Sequence, residues 1–123
     1  MLRGDSPVVY GDGEQSRDFT YVANVIQANL LAASKAEIAG RTFNIANGVS
    51  TSLLQLIKTL NQTLNTSIHP IHESARAGDI RDSMADISTA RKAIGYEPKV
   101  LFQEGIERSI DYYKTLAQGT PPS

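Results

Sequence analysis

The chain has 123 residues, of which 41% are apolar and 20% charged, and its net charge is −1 at neutral pH. This length suits one modest domain, and the composition is typical of globular rather than disordered proteins. The near-neutral charge, with scattered lysines and arginines, gives no electrostatic drive toward nucleic acid or an anionic membrane surface. No cysteine is present, which excludes disulfides and thiolate metal sites and fits a reducing, cytoplasmic location.

The first elements that the sequence predicts are a strand, a tight loop and a long helix. Residues 7–10 are an apolar run that stops at Gly-Asp-Gly (11–13), which indicates a strand entering a turn. Residues 18–22 then lead into a helix whose apolar side chains recur at helical spacing: Val22, Ile26, Leu30 and Ala33. Gly40 is expected to end this helix. Residues 42–46 are expected to form a short strand.

Helices dominate the rest of the chain. Ser52 is expected to begin a second helix, with Gln55 three residues later as in a capping box. Helical patterns also cover residues 86–94 and 102–116. The sequence therefore predicts an α/β fold with few short strands and about four helices. Such a small number of strands falls short of the usual sheet, and the apolar first helix requires a substantial partner surface.

Two segments place an arginine beside turn-forming glycine and aspartate: residues 10–22, Tyr-Gly-Asp-Gly-Glu-Gln-Ser-Arg-Asp-Phe-Thr-Tyr-Val, and residues 76–81, Arg-Ala-Gly-Asp-Ile-Arg. A guanidinium is a planar fork of donors that fits phosphate oxygens two at a time, so two converging forks would form a diphosphate clamp. Arg17 and Arg76 are the candidates. For Arg17 the alternative is a surface pair with Asp18.

Two further side chains in these segments are candidates for contacts with a nucleotide. Asp79 can accept hydrogen bonds from ribose hydroxyls. The alternative is a polar turn in which Asp79 pairs with Arg81. Tyr10 can lie against a pyrimidine ring, as aromatic side chains do with bases, and the alternative is a core residue at the end of a strand.

Two other patterns are interpreted as incidental. His69 and His72 have the spacing of a metal pair, but a proline between them prevents a helix that would align them, and no metal site is expected. The Gly-x-Gly of residues 11–13 lacks the third glycine of a dinucleotide-binding loop, because Ser16 stands in its place.

Segments 11–22, 43–45, 76–80, 86–98 and 105–113 occur together in an order that resembles the C-terminal part of one enzyme family. This family is the NAD-dependent nucleotide-sugar epimerases and dehydratases, the extended short-chain dehydrogenases. The pattern is most similar to 4-epimerases of UDP-glucose and UDP-N-acetylglucosamine, and related dehydratases and decarboxylases share much of it. One departure is Ala23-Asn24, where the family commonly has acidic residues; the expected consequence is the loss of a helix-capping charge.

The resemblance implies a role for each candidate residue. In the family, NAD binds an N-terminal Rossmann sheet, and a tyrosine with a lysine four residues later transfers protons. No tyrosine of this chain has a lysine at that spacing, so no catalytic, cofactor-binding or metal residue is assigned. The resemblance implies that Arg17 and Arg76 contact the diphosphate of a UDP-sugar, that Asp79 contacts the ribose, and that Val9 and Tyr10 flank the base.

The resemblance also implies how the chain is organised. Residues 1–117 would be the substrate-binding portion, in which a helix and strand at about 22–46 pack on a Rossmann domain whose sheet is largely absent here, and 118–123 would be a flexible tail. The chain alone is then expected to be inactive and to bind no NAD. It is expected to form a homo-oligomer that covers its orphan surfaces. The alternatives are a stand-alone nucleotide-sugar-binding module and a fragment of a related dehydratase.

Overall fold

The computed structural model describes residues 1–119, which form four α-helices and four short strands. The helices are α1 (Val22–Ala33), α2 (Leu53–Leu64), α3 (Ser88–Ile94) and α4 (Phe102–Ala117). The strands are β1 (Val8–Tyr10), β2 (Ser16–Arg17), β3 (Thr51–Ser52) and β4 (Ile71–Glu73). The predicted α/β fold with about four helices and few short strands is confirmed. Most of the predicted tail, residues 120–123, lies outside the described residues.

The strands pair as two separate two-stranded sheets. β1 runs parallel to β4, with Val9 opposite His72, and β2 runs antiparallel to β3, with Arg17 opposite Thr51. Parallel strands have their carboxyl ends at the same edge of a sheet. The chain segments that follow β1 and β4 therefore leave the first sheet side by side.

The hydrophobic core lies where α1 packs against α3 and the chain that follows it. Its buried members are Ala28, Ala46, Ile87, Ala90, Ile94 and Tyr96. Tyr96 is completely buried, and its hydroxyl donates a hydrogen bond of 2.9 Å to the carbonyl of Ala46. A buried phenol needs such an acceptor, because an unpaired hydroxyl in the core would cost free energy.

The predicted capping box begins α2. The Ser52 hydroxyl accepts a hydrogen bond from the Gln55 amide at 3.2 Å, and the Gln55 side chain accepts one from the Ser52 amide at 2.9 Å. Both exchanges use backbone donors that the first turn of a helix leaves without partners. The helix ends at Asn65 in the left-handed conformation and packs against α4.

Two predictions for the chain after α1 were wrong. The helix ends at Ala33, a 3₁₀ turn follows at Ala36–Ile38, and Gly40 comes only after that turn. Residues 42–46, predicted as a strand, are not in a strand. A strand needs a neighbour for its backbone hydrogen bonds, and within residues 1–119 none lies beside this segment. Its apolar side chains pack against the core instead.

The apolar stripe of α1 lies on the surface of the described structure. Val22, Ile26 and Leu30 are 61%, 54% and 68% exposed, whereas Asn24 and Ala28 face the interior. The stripe agrees with the expectation of an apolar surface on the first helix, and its partner remains a prediction. Within residues 1–119, each helix is too short or too polar to cross a membrane.

Candidate functional site

The two arginine segments meet next to the β1–β4 sheet. The amide of Gly11 donates to the carbonyl of Glu73 at 2.8 Å, just past the ends of the two paired strands. Farther along, the amide of Ser16 donates to the carbonyl of Arg81 at 2.7 Å, and the amide of Ser83 donates to the carbonyl of Ser16 at 3.1 Å. Backbone hydrogen bonds thus join the first segment to Arg81 and to residues on either side of the second segment. We call residues 10–17 and 76–81 together the loop site.

Gly13 holds the first segment against α2. Its φ is +81°, and a Cβ at this position would lie 2.8 Å from Leu54 Cδ2. The Leu54 amide also donates to the Gly13 carbonyl at 3.1 Å. A residue with a side chain would be strained at this φ and would push the Leu54 side chain aside, so glycine suits this turn.

Arg17 is held by partners from both segments. Its Nη2 donates to Asp79 Oδ1 at 3.0 Å, and its Nη1 donates to the carbonyls of Ser16 at 2.7 Å and Arg81 at 3.3 Å. The Arg17 side chain is 33% exposed and that of Asp79 is 42% exposed. The alternative in which Arg17 pairs with Asp18 is wrong, because the Asp18 carboxylate accepts hydrogen bonds elsewhere. Arg17 is therefore oriented by its partners yet still accessible.

A second ion pair crosses between the segments. Arg81 Nη2 lies 3.1 Å from Asp12 Oδ2, so the alternative in which Asp79 pairs with Arg81 is also wrong. A hydrogen bond from the backbone amide of Glu14, and secondarily the Arg81 guanidinium, hold the pKa of the Asp12 carboxyl below its usual value. Each of the two ion pairs joins one residue of the first segment to one residue of the second, so opposite charges meet across the loop site.

Arg76 stacks on an aromatic ring. Its guanidinium carbon lies 3.6 Å from the centroid of the Tyr10 ring, which is a close cation–π contact. Among residues 1–119, Arg76 takes part in none of the ion pairs. Val9 is 4% exposed, and its side chain packs inward beside Gly13. The two positions predicted to flank the base therefore differ, because Tyr10 offers a side chain and Val9 offers only its backbone.

A cleft of about 180 Å³ lies at the loop site. Its walls include five of the charged or aromatic side chains described above: Tyr10, Asp12, Arg76, Asp79 and Arg81. Arg17 is connected to this cleft through Asp79 but does not line it. Three of the five predicted residues thus line one opening. Of the other two, Arg17 contacts the lining through Asp79, and Val9 lies in the core.

A hydroxyl chain on the opposite face of β2 was missed by the sequence analysis. The Ser50 hydroxyl donates to Ser16 Oγ at 2.6 Å, and the Ser16 hydroxyl donates to Asp82 Oδ1 at 2.6 Å. These three residues border a wider cleft of about 600 Å³. Their partners are distant in sequence, so no local spacing pattern could have identified them.

Asp18 connects the loop site to the interior. Its carboxylate accepts hydrogen bonds from the amides of Asn47 and Gly48, each at 2.9 Å, and from that of Ala85 at 3.4 Å. Hydrogen bonds to backbone amides satisfy a partly buried carboxylate and fix its position. Because Asp18 follows Arg17 directly, this anchor also fixes the backbone from which the Arg17 side chain extends.

Asn24 has a different role from the one inferred for the Ala23-Asn24 departure. It is 1% exposed, and its Oδ1 accepts hydrogen bonds from the amides of Lys99 at 2.9 Å and Val100 at 3.0 Å. Its Nδ2 donates to Val100 O at 2.7 Å and to Asn47 Oδ1 at 3.1 Å. Asn24 therefore joins α1 to distant chain and is no substitute for a capping charge. We call Asn24, Asn47 and Tyr96 the polar centre.

One of the two histidines contacts the loop site. No group of three or more potential metal-ligating side chains occurs among residues 1–119. His72 Nδ1 lies 2.8 Å from the carbonyl of Gly11, so its ring is committed to the first turn of the loop site.

Comparison with known proteins identifies the family. Residues 1–109 match the protein family described as GDP-mannose 4,6 dehydratase. A UDP-glucose 4-epimerase of Mycolicibacterium smegmatis is 30% identical over 118 residues, which cover 96% of this chain and 37% of that protein. The chain thus spans little more than a third of that relative's length.

Two solved structures resemble the chain closely. The crystal structure of UDP-glucose 4-epimerase from Thermotoga maritima, with UDP-glucose, superposes with a TM-score of 0.87 at 38% identity and covers 95% of this chain and 37% of that one. The structure of UDP-glucuronic acid 4-epimerase from Bacillus cereus, in complex with UDP-glucuronic acid and NAD, gives a TM-score of 0.86 at 31% identity and covers 94% and 37%. The chain therefore belongs to the family of nucleotide-sugar epimerases and dehydratases, and it corresponds to the C-terminal part of these enzymes.

Proposed function

We propose that this chain is the substrate-binding, C-terminal part of a nucleotide-sugar 4-epimerase that binds the UDP moiety for NAD-dependent epimerisation at C4 of the sugar. The observation that carries the proposal is the joining of the two arginine segments around one cleft. The UDP-sugars named for the solved relatives support the choice of ligand.

In the proposed complex, Arg17 and Arg76 bind the diphosphate. Arg17 is already oriented by two carbonyls and a carboxylate, so little conformational freedom would be lost when it binds an anion. Arg76 is exposed and has no carboxylate partner in the described chain, so its charge is available. The two forks supply the planar donors that phosphate oxygens accept.

The same proposal assigns the nucleoside to Asp79, Tyr10 and Val9. The Asp79 carboxylate lines the cleft and can accept hydrogen bonds from ribose hydroxyls. Tyr10 offers a ring for stacking against the base. Because the Val9 side chain is buried, its contact would come from the backbone; within residues 1–119, β1 pairs only with β4 and keeps its other edge open.

Hydride transfer is assigned to the part of the enzyme that this chain does not match. The sequence has no three-glycine dinucleotide loop and no tyrosine with a lysine four residues later. NAD in the intact enzyme would therefore be held by the N-terminal Rossmann portion. In this proposal residues 1–117 anchor the nucleotide while the keto-sugar turns, and the chain alone neither turns over a UDP-sugar nor binds NAD.

The exposed stripe of α1 is assigned to assembly. Val22, Ile26 and Leu30 would pack on the Rossmann portion of the enzyme, or on a second copy when the chain is alone, because exposed apolar patches recruit partners. Light scattering on the purified chain should give a mass above that of a monomer. Ile26→Glu should return it to a monomer, and a monomeric mass for the unchanged chain would contradict the homo-oligomer. A cytoplasmic location is part of the proposal and rests on the cysteine-free sequence.

Two alternative functions are compatible with the same fold. A stand-alone nucleotide-sugar-binding module would bind UDP-sugars equally well with or without a Rossmann portion. A dehydratase fragment would share the nucleotide contacts, and product analysis with the intact enzyme would show loss of water in place of inversion at C4.

The test is calorimetric titration of the full-length enzyme with a UDP-sugar. Arg17→Ala and Arg76→Ala should each weaken binding about ten- to a hundredfold, because each removes a charge-assisted contact worth about 1.5–3 kcal/mol. Lysine at either position should restore only part of the affinity, since it lacks the planar fork.

Arg108→Ala is the matched control, because Arg108 pairs with Glu104 on the exposed face of α4, outside the loop site. It should leave the affinity unchanged. Unchanged binding in both Arg17→Ala and Arg76→Ala, with the fold intact by circular dichroism, would show that the arginines are structural and would overturn the proposal.

A further inference from the structure

The guanidinium of Arg76 covers one face of the Tyr10 ring in the structure. The guanidinium carbon lies 3.6 Å from the ring centroid, which is the separation of two flat groups in direct stacking contact. Both residues line the cleft of the loop site. One face of an aromatic ring accepts one planar group at this distance, so a base that stacks on this face must first displace the guanidinium.

We propose that Arg76 is a lid on the base-binding face of Tyr10, which opens at a net cost for a nucleoside and at a net gain for a nucleotide with a diphosphate. The inference rests on the function proposed above. A base alone would have to displace the guanidinium without giving it a new partner. A nucleoside diphosphate offers the displaced guanidinium two phosphate oxygens. These contacts form in the same binding event and offset the free energy that is lost when the stack breaks.

The balance of the two contacts favours transfer to phosphate. An exposed cation–π contact changes an equilibrium constant by about two- to fivefold, whereas a charge-assisted contact changes it by about ten- to a hundredfold. Breaking the stack is therefore a small loss for a diphosphate ligand and a net loss for a nucleoside. The consequence is discrimination between ligands that share the same base.

The surroundings of Arg76 allow this movement. Arg76 is exposed, and a Cβ at Gly78 would meet no atom within 4 Å, so the tip of this turn is not packed against other chain. Arg17 contrasts with it, because two carbonyls and Asp79 hold its guanidinium in place. The two arginines thus differ in how they would bind the diphosphate. The guanidinium of Arg17 stays in place, whereas that of Arg76 moves from the Tyr10 ring to a phosphate.

The experiment compares uridine with UDP on the unchanged protein and on Arg76→Ala, by NMR titration for the weak ligand and calorimetry for the strong one. Arg76→Ala should bind UDP about ten- to a hundredfold more weakly and uridine about two- to fivefold more tightly. In a Tyr10→Leu background, Arg76→Ala should no longer improve uridine binding, since there is no ring to uncover. Arg91→Ala, which removes a guanidinium paired with Glu97 outside the loop site, is the control and should change neither affinity.

Opposite changes for the two ligands are the signature of a lid. If Arg76→Ala weakens UDP binding but leaves uridine binding unchanged, the lid is overturned and the proposed function stands. If it weakens both ligands alike, Arg76 supports the ring and the lid is again overturned. If the unchanged protein binds no UDP, the proposed function itself fails.

Discussion

The charged side chains of the loop site lie at the surface and pair with one another, whereas the side chains of the polar centre are uncharged and completely or almost completely buried. Arg17 and Asp79 are a third or more exposed, so their ion pair is worth only about 0–1 kcal/mol. Asn24 and Tyr96 are 1% and 0% exposed, and every hydrogen bond they make replaces one to water. The proposed function requires the loop site to bind a ligand with groups that already have partners, whereas it requires no such change in the polar centre.

This difference separates binding from folding. Under the proposed function, a phosphate that binds the Arg17 guanidinium affects only a weak surface pair with Asp79 and leaves the rest of the fold unchanged. A substitution in the polar centre instead leaves several buried groups without partners, each at a cost of about 1–3 kcal/mol. Asp18 lies between the two regions, with Arg17 next to it in sequence and the amides of Asn47 and Gly48 on its carboxylate.

Asn24→Ala should have the largest effect on stability. The substitution leaves both the amide and the carbonyl of Val100 without their hydrogen bonds to Asn24. The Lys99 amide and Asn47 Oδ1 each lose a partner as well. We expect a loss of about 3 kcal/mol in the free energy of unfolding, because several buried polar groups lose their partners at once. Urea denaturation followed by circular dichroism measures it.

Asn44→Ala is the matched control for this substitution. Asn44 is exposed and makes a single long hydrogen bond of 3.5 Å to the carbonyl of Asp86, so its loss should be within about 0.5 kcal/mol. Equal losses at Asn24 and Asn44 would mean that the polar centre does not stabilise the fold in the way described.

Tyr96→Phe should have an intermediate effect. It keeps the ring in the core but leaves the carbonyl of Ala46 without its 2.9 Å donor, which should cost about 1–2 kcal/mol at neutral pH. Urea unfolding of the two proteins at pH 7 gives this value, and no change at all would show that water replaces the hydroxyl.

The same variant tests the pH dependence of stability. Burial, and then the negative charge of Asp18, raise the pKa of Tyr96 above its ordinary value of 10.0. The unfolded chain then loses the phenolic proton at a lower pH than the folded protein does. The stabilisation is therefore fully present below about pH 10 and is lost as the pH rises through the folded-state pKa. Tyr96→Phe should lose less stability than the unchanged protein between pH 9 and 11.

The sequence predicted the parts of the molecule that depend on near neighbours. The capping box at Ser52 and Gln55 is a local exchange, so a stretch of four residues was sufficient to predict it. The loop site was predicted through the arrangement of arginine beside glycine and through resemblance to a family. Its pairing was not, because Arg17 finds Asp79 across 62 positions of chain.

Most of the features that the sequence did not predict depend on distant chain. Its neighbours in sequence indicate that Asn24 is an ordinary residue in the first turn of a helix. Its role is set by backbone groups at residues 99 and 100. Residues 42–46 have the composition of a strand, yet a strand also requires a partner strand, which their own sequence cannot indicate. Local pattern thus predicts an element, whereas its partners come from the assembled fold.

Asp79→Asn should have the smallest effect on stability, and it tests the other side of the comparison. The substitution removes the charge that faces Arg17 but leaves the two carbonyls that also hold the guanidinium. We expect the free energy of unfolding to change by less than about 1 kcal/mol, since exposed ion pairs contribute little. Glu97→Gln, which removes the charge facing Arg91 in a similarly exposed pair of 3.0 Å, should change it by a similar amount. If Asp79→Asn destabilises the protein as much as Asn24→Ala does, the loop site is part of the structural framework, and its ion pair is not free to exchange for a ligand.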